Sequence, residues 1–170
     1  VRFVHVNLSA ADAAKLRGVA LVADARLALE ALDGALGDWQ APAAWGETAL
    51  GRMIRWRERY AADLSPRQGM PLTQAQVFAA VNAVACAGDV VVAAAGTPPG
   101  EIKKGWDASK GEEVFLEFNF SCMGHEIPAG IGVRLARPDA GEVFVVIGDG
   151  TYLMAPSEIV TAVQEGAKVT

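Results

Sequence analysis

Apolar positions along this chain switch between two periods, and each switch marks an element. Residues 2–7 alternate, residues 18–24 form a second apolar run, and residues 25–36 place Leu27, Leu29, Ala31, Leu32 and Leu36 at helical intervals. The pattern predicts strand, short loop, strand and helix. Leu50, Met53, Ile54 and Tyr60 then predict a helix over 47–64. Thr73-Gln74-Ala75-Gln76 matches a capping box, and the helix it opens is expected to bury Val77, Phe78, Val81 and Val84. Three strand-like runs follow. Residues 89–95 end in Gly96-Thr97-Pro98-Pro99-Gly100. Residues 114–120 lead into Ser121-Cys122-Met123-Gly124 and a small-residue helix to about Ala136, with Pro128 in its first turn. Residues 142–147 lead into Gly148-Asp149-Gly150 and a helix over 152–165 carrying Leu153, Ile159, Val160 and Val163.

Unbroken apolar runs bounded by glycine turns read as buried parallel strands, and their alternation with helices predicts an α/β fold with a doubly wound parallel sheet. Residues 1–36 read as the C-terminal end of a central α/β domain. Residues 37–72 concentrate Trp39, Trp45 and Trp56 with Pro42, Pro66 and Pro71, and read as an interdomain connector packed on the domain that follows. Residues 73–170 are that domain. No internal repeat or low-complexity segment interrupts the pattern.

Charge and cysteine usage narrow the partners. The chain has 170 residues and a net charge of −5, which argues against a nucleic-acid partner. Arg52, Arg55, Arg57 and Arg59, with Glu58 among them, read as a solvated helix face. No apolar run approaches membrane-spanning length and no signal peptide is evident, so no membrane partner is expected. Cys86 and Cys122 lie far apart, which suits a reduced cytoplasmic protein better than a disulfide or zinc scaffold. The chain starts at Val1 inside a strand-like run and stops at Thr170 as another apolar run begins, so it reads as an internal fragment.

The strand ends carry the candidate chemistry. Ligands of open α/β sheets bind at the carboxyl ends of strands. Asp149, between two glycines at such an end, is placed to reach a metal bound to a phosphate, although most Gly-Asp-Gly stretches are simply turns. Met123 taken alone reads as a core methionine, and only its motif argues otherwise. Cys122, without a base in sequence reach, reads as a small buried hydrophobe, and Cys86 as a core residue on the apolar side of a helix. His5 reads as structural, His125 as a hydrogen-bonding residue, and Glu126 as a favourable charge in a helix's first turn. No Gly-x-Ser-x-Gly, Walker A or Rossmann fingerprint is present.

The order and spacing of 96–100, 121–130 and 148–154 resemble the diphosphate-binding domain of thiamine-diphosphate enzymes of the acetolactate synthase type. Within that superfamily, Ser121-Cys122-Met123-Gly124 and Gly148-Asp149-Gly150-Thr151-Tyr152-Leu153-Met154 are most similar to the trihydroxycyclohexane-dione hydrolase branch of myo-inositol breakdown. Leu72-Thr73-Gln74-Ala75-Gln76-Val77 and Val22-Ala23-Asp24-Ala25-Arg26 fit the same family. His125 and Thr97-Pro98 depart from the family pattern.

The resemblance implies thiamine diphosphate and Mg²⁺ as cofactors. Asp149 would be the metal ligand. The backbone of Gly150 and Thr151 would bind the diphosphate, helped by Gly96 and Thr97. The backbone of Ser121, Cys122 and Met123 would contact the aminopyrimidine, with the Met123 side chain holding the cofactor bent so that its amino group activates its own thiazolium carbon. The substrate implied is a cyclic polyol diketone cleaved at a C–C bond, and the assembly implied is a homo-oligomer with the cofactor site between subunits. A second metal ligand (an Asn) and the glutamate that protonates the pyrimidine would lie outside this chain, so the 170-residue piece is expected to be inactive alone. Two alternatives stay open: another thiamine-diphosphate enzyme, carboligase or decarboxylase, and a non-catalytic diphosphate-binding or oligomerisation module.

Overall fold

The Ser9 hydroxyl accepts the Asp12 N–H and starts α1 (Ala10–Ala14), which connects two parallel strands, β1 (Val4–Asn7) and β2 (Val19–Val22). A short loop is expected there, but a parallel pair needs a crossover, and α1 provides it. Asp24 caps α2 (Ala25–Leu36) by accepting the Arg26 and Leu27 N–H groups, and this helix has the bounds its pattern predicts. These elements come from a computed structural model that describes residues 3–15, 17–65, 68–117 and 120–170. The expected strand residue Arg2, and Phe118 and Asn119 of another, lie outside the described residues.

Contacts divide the chain into two units, Val1–Arg52 and Met53–Thr170, with the boundary inside α3 (Ala43–Leu64). In the first unit Ala13 is buried while Val4, Val19, Leu27, Leu29 and Leu32 stay exposed. The His5 ring lies against Gly18 and stacks on Phe3 with centroids 6.2 Å apart.

In the second unit, both halves of the capping box at Thr73 form, opening α4 (Gln74–Val84). The Gln76 amide also donates to the Leu64 and Ser65 carbonyls, joining the start of α4 to the end of α3. The buried face of α4 differs from expectation. Ala75, Phe78 and Asn82 face inward, whereas Val77 and Val84 are exposed, Val84 at 70%. Asn82 takes a core position because its amide is consumed there. Its Nδ2 donates to Glu112 Oε1 and the Asp107 carbonyl, and its Oδ1 accepts the Asp107 N–H.

A parallel three-stranded sheet follows, built from β3 (Val90–Ala93), β4 (Glu113–Leu116) and β5 (Val143–Val145) in the order β4-β3-β5. All four β3 residues are buried. Alternation of side chains puts Val91 and Ala93 with Phe78 and Ile102 on one face. Val90, Val92 and Val143 on the other face meet Ala129 and Val133. Helices thus cover both faces, the doubly wound arrangement the pattern predicts. On the first face α5 (Pro98–Gly105) accompanies α4, with Pro98 and Pro99 in its first turn. On the second lie α6 (Glu126–Ala136), with Pro128 in its first turn, and α8 (Glu158–Gln164).

The helix expected over 152–165 is two helices. A single turn, α7 (Asp149–Tyr152), begins directly after Gly148, and α8 starts only at Glu158. Pro156 explains the interruption, since it lacks an N–H and its ring clashes with the preceding turn. Leu153, Val160 and Val163 are exposed, and Ala162 carries the packing instead. Beyond α8, Thr170 pairs alongside β5, its N–H bonding the Val143 carbonyl and its carbonyl accepting the Val145 N–H. Among the described residues no helix is long and apolar enough to cross a membrane.

Candidate functional site

Because the three strands are parallel, their carboxyl ends open at one edge of the sheet. Each expected site residue sits in one of the three segments that leave this edge. Gly96 and Thr97 follow β3, Ser121 to Met123 follow β4, and Asp149 to Thr151 follow β5.

After β3, Thr97 directs its hydroxyl to Gln74 Oε1 at 2.6 Å, so this side chain is engaged with the start of α4. The helix behind it opens with two prolines, which lack N–H groups. Of the first three residues of α5 only Gly100 carries an N–H group, beside those of Gly96 and Thr97.

The second and third segments touch. A Cβ placed on Gly150 would lie 3.9 Å from the Met123 methyl, and one on Gly124 would lie 3.1 Å from Met154 Cβ. Gly124 also has φ +88°, a left-handed conformation that favours glycine. Met123 itself is 51% exposed, so it is not the buried core methionine that its residue type alone suggests. Cys122 is exposed, contrary to the small buried hydrophobe expected, and follows Ser121, whose φ is +51°. Cys86 is exposed as well, lying past the C-cap of α4 and not on its apolar side, with its thiol 3.4 Å from Asp89 Oδ2.

Asp149 is exposed, and its Oδ1 accepts the N–H of Gly150 at 2.8 Å. Thr151 is buried beneath it. Among the described residues no group of three or more His, Cys, Asp or Glu side chains could hold a metal. A single carboxylate still suits Mg²⁺, which is commonly held through one or two carboxylates plus phosphate oxygens and water.

Two carboxylates at this edge take part in ways the sequence reading missed. Glu117, just past β4, accepts the Phe120 N–H with Oε1 at 3.0 Å and the Cys122 N–H with Oε2 at 2.7 Å. These two N–H groups, with the charge of His125 adding to them, hold its carboxyl below the usual carboxylate range. Between them Ser121 adopts φ +51°, which costs a residue bearing a Cβ roughly 1–2 kcal/mol. Glu126 stands in the first turn of α6, as expected, but it does more than place a charge there. It is fully buried, and its Oε1 accepts the Ala95 N–H at 3.0 Å while Oε2 has no partner among the described residues. One signal pointed to each. Glu117 ends an otherwise apolar run, and Glu126 lies on the same inward helix face as Gly130.

A cleft of about 470 Å³ between α3 and the end of α5, lined by Met53, Trp56, Tyr60 and Trp106, contains none of these residues.

Residues 94–170, which contain all three segments, match the family described as thiamine pyrophosphate enzyme, C-terminal TPP binding domain. This stretch belongs to that domain family. The whole chain also aligns with proteins named 3D-(3,5/4)-trihydroxycyclohexane-1,2-dione hydrolase. One from Geobacillus thermodenitrificans is 35% identical over 186 residues, covering 96% of this chain and 29% of that protein. A Bacillus cereus protein is 33% identical over 195 residues, and one from Halalkalibacterium halodurans 31% over 192, each covering 99% of this chain and 30% of the relative. The chain thus spans under a third of the length of these relatives.

Proposed function

We propose that this chain is the cofactor-holding part of a thiamine-diphosphate-dependent enzyme that hydrolyses a C–C bond of a cyclic 1,2-diketone, a trihydroxycyclohexane-dione. The observation that carries the reading is the contact of two strand-end segments, with the Met123 methyl within van der Waals reach of the Gly150 turn and Gly124 closing on Met154. The names of the aligned relatives support the choice of substrate. When bound, the cofactor supplies a carbon nucleophile and a sink for the electron pair released by C–C cleavage.

The chain's own residues then bind and orient. Asp149 presents a hard oxygen ligand to Mg²⁺. Rotation of its carboxylate off the Gly150 N–H exposes both groups to a metal diphosphate. The backbone at Gly96, Thr97, Gly150 and Thr151 would cradle the phosphates, and the backbone of Ser121, Cys122 and Met123 would border the aminopyrimidine. Met123, half exposed and braced on the glycine turn, supports the bend between the two rings. The assembly proposed is a homo-oligomer in the cytoplasm, with a partner subunit closing the site.

Calorimetric titration of the chain with thiamine diphosphate, with and without Mg²⁺, tests this. Binding is expected only with the metal, and Asp149→Asn is expected to abolish the metal's effect. Titrations that stay flat in the unchanged chain, or that Asp149→Asn leaves unaltered, would remove the reading.

A further inference from the structure

We propose that Glu117 is a positioning residue for the cofactor site: by accepting the Phe120 and Cys122 N–H groups it holds Ser121 left-handed and so sets Met123 against Gly150. This rests on the thiamine-diphosphate reading above.

The argument starts from Ser121. A serine gains nothing intrinsic from φ +51°, so the surroundings must impose it. The N–H groups on either side of Ser121 converge on the two oxygens of one carboxylate, at 3.0 and 2.7 Å. Charge-assisted bonds of this kind are short and strong. Their acceptor is anchored in turn, since the Glu117 N–H bonds the Ala93 carbonyl at 3.1 Å and continues the β3–β4 ladder. The clamp therefore transmits the position of the rigid sheet to a loop that is otherwise exposed. Immediately downstream, the His125 N–H bonds the Cys122 carbonyl and Gly124 closes on Met154, which leaves Met123 aimed at the β5 turn. Glu117 touches neither cofactor nor substrate in this scheme. It determines how often the loop is in the presenting conformation, and apparent affinity scales with that fraction.

The test compares the unchanged chain with Glu117→Ala, Glu117→Gln and the double variant E117A/S121G. Mg²⁺–thiamine diphosphate affinity is read by calorimetry, and the amide proton shifts of Phe120 and Cys122 by NMR in the absence of ligand. Glu117→Ala is expected to weaken binding about tenfold, the left-handed cost of Ser121 expressed as an equilibrium. It should also move both amide protons upfield. Glu117→Gln, which keeps one acceptor oxygen, is expected to fall between. Glycine at 121 adopts the left-handed conformation freely, so E117A/S121G is expected to recover most of the affinity while the amide shifts stay upfield. A merely structural glutamate would show no such rescue. Unchanged affinity in Glu117→Ala, or a folded double variant that binds as weakly as the single one, overturns the proposal. An unchanged chain that fails to bind removes the cofactor reading itself, and this role with it.

Discussion

Glu126 Oε1 lies 3.0 Å from the backbone nitrogen of Ala95, joining the first residue of α6 to the end of β3, and the glutamate is fully buried. One carboxylate oxygen thus satisfies a donor that no strand partner takes. Glu126→Ala leaves that N–H buried without an acceptor, and the expected loss is about 1–3 kcal/mol of unfolding free energy. Glu126→Gln keeps a carbonyl oxygen in place and should lose less. Urea unfolding of the two variants beside the unchanged chain measures the difference. Equal losses would show that the charge, and not the hydrogen bond, matters.

Asp89 sets an acid limit on the fold. Burial raises its pKa, but the N–H groups of Cys86 and Glu142 and the Cys86 thiol outweigh that and leave it below its ordinary value of 3.8. A folded-state pKa below the unfolded one means that the native chain binds fewer protons. This contribution to stability is therefore full above the ordinary value and is lost as pH falls through the lowered one. Asp89→Asn is expected to flatten the dependence of the unfolding midpoint on pH below about 4. The same carboxylate raises the Cys86 pKa, so the variant should also make Cys86 react faster with a disulfide reagent at neutral pH. Unchanged thiol kinetics would argue against the bond.

Gly130 lets α6 lie on the sheet. A Cβ there would sit 2.5 Å from Val145 Cγ2 and 3.4 Å from Val169 Cγ1. Gly130→Ala gains in helix propensity but must push the helix off β5, and the expected net cost is about 1–3 kcal/mol. Gly132, with open space around it, is the control, and Gly132→Ala should be neutral or stabilising. Thermal melting of both variants checks the contrast. Equal melting temperatures would mean that the helix shifts at no cost.

Much of this architecture was legible because local chemistry and tertiary packing agree. The Thr73 capping box, the Asp24 cap and the all-apolar β3 each follow from residues close in sequence. Readings failed where a polar residue serves the core or an apolar one does not. Asn82 faces inward because its amide bonds Glu112 and Asp107, partners 30 and 25 residues away, which no periodicity reveals. Val84 and Val163 carry the helical spacing yet remain exposed. At the candidate site the three segments could be named from their motifs, but not the groups that hold them. Glu117 and Glu126 act through bonds to backbone N–H groups, one of them 31 residues distant, and a donor of that kind leaves no mark on residue type.

The contacts of Met123 with Gly150 and of Gly124 with Met154 bear on how such a sheet edge can change over generations or in an engineer's hands. Each loop contributes one small residue to the hollow that the other's methionine occupies. The two sides differ: a Cβ at Gly124 would lie 3.1 Å from Met154 Cβ and the facing loop would have to give way, whereas one at Gly150 would meet the Met123 methyl at an ordinary 3.9 Å. A graft intended to alter what the site accepts must therefore keep Gly124 matched to the segment after β5, while position 150 leaves room for a small side chain.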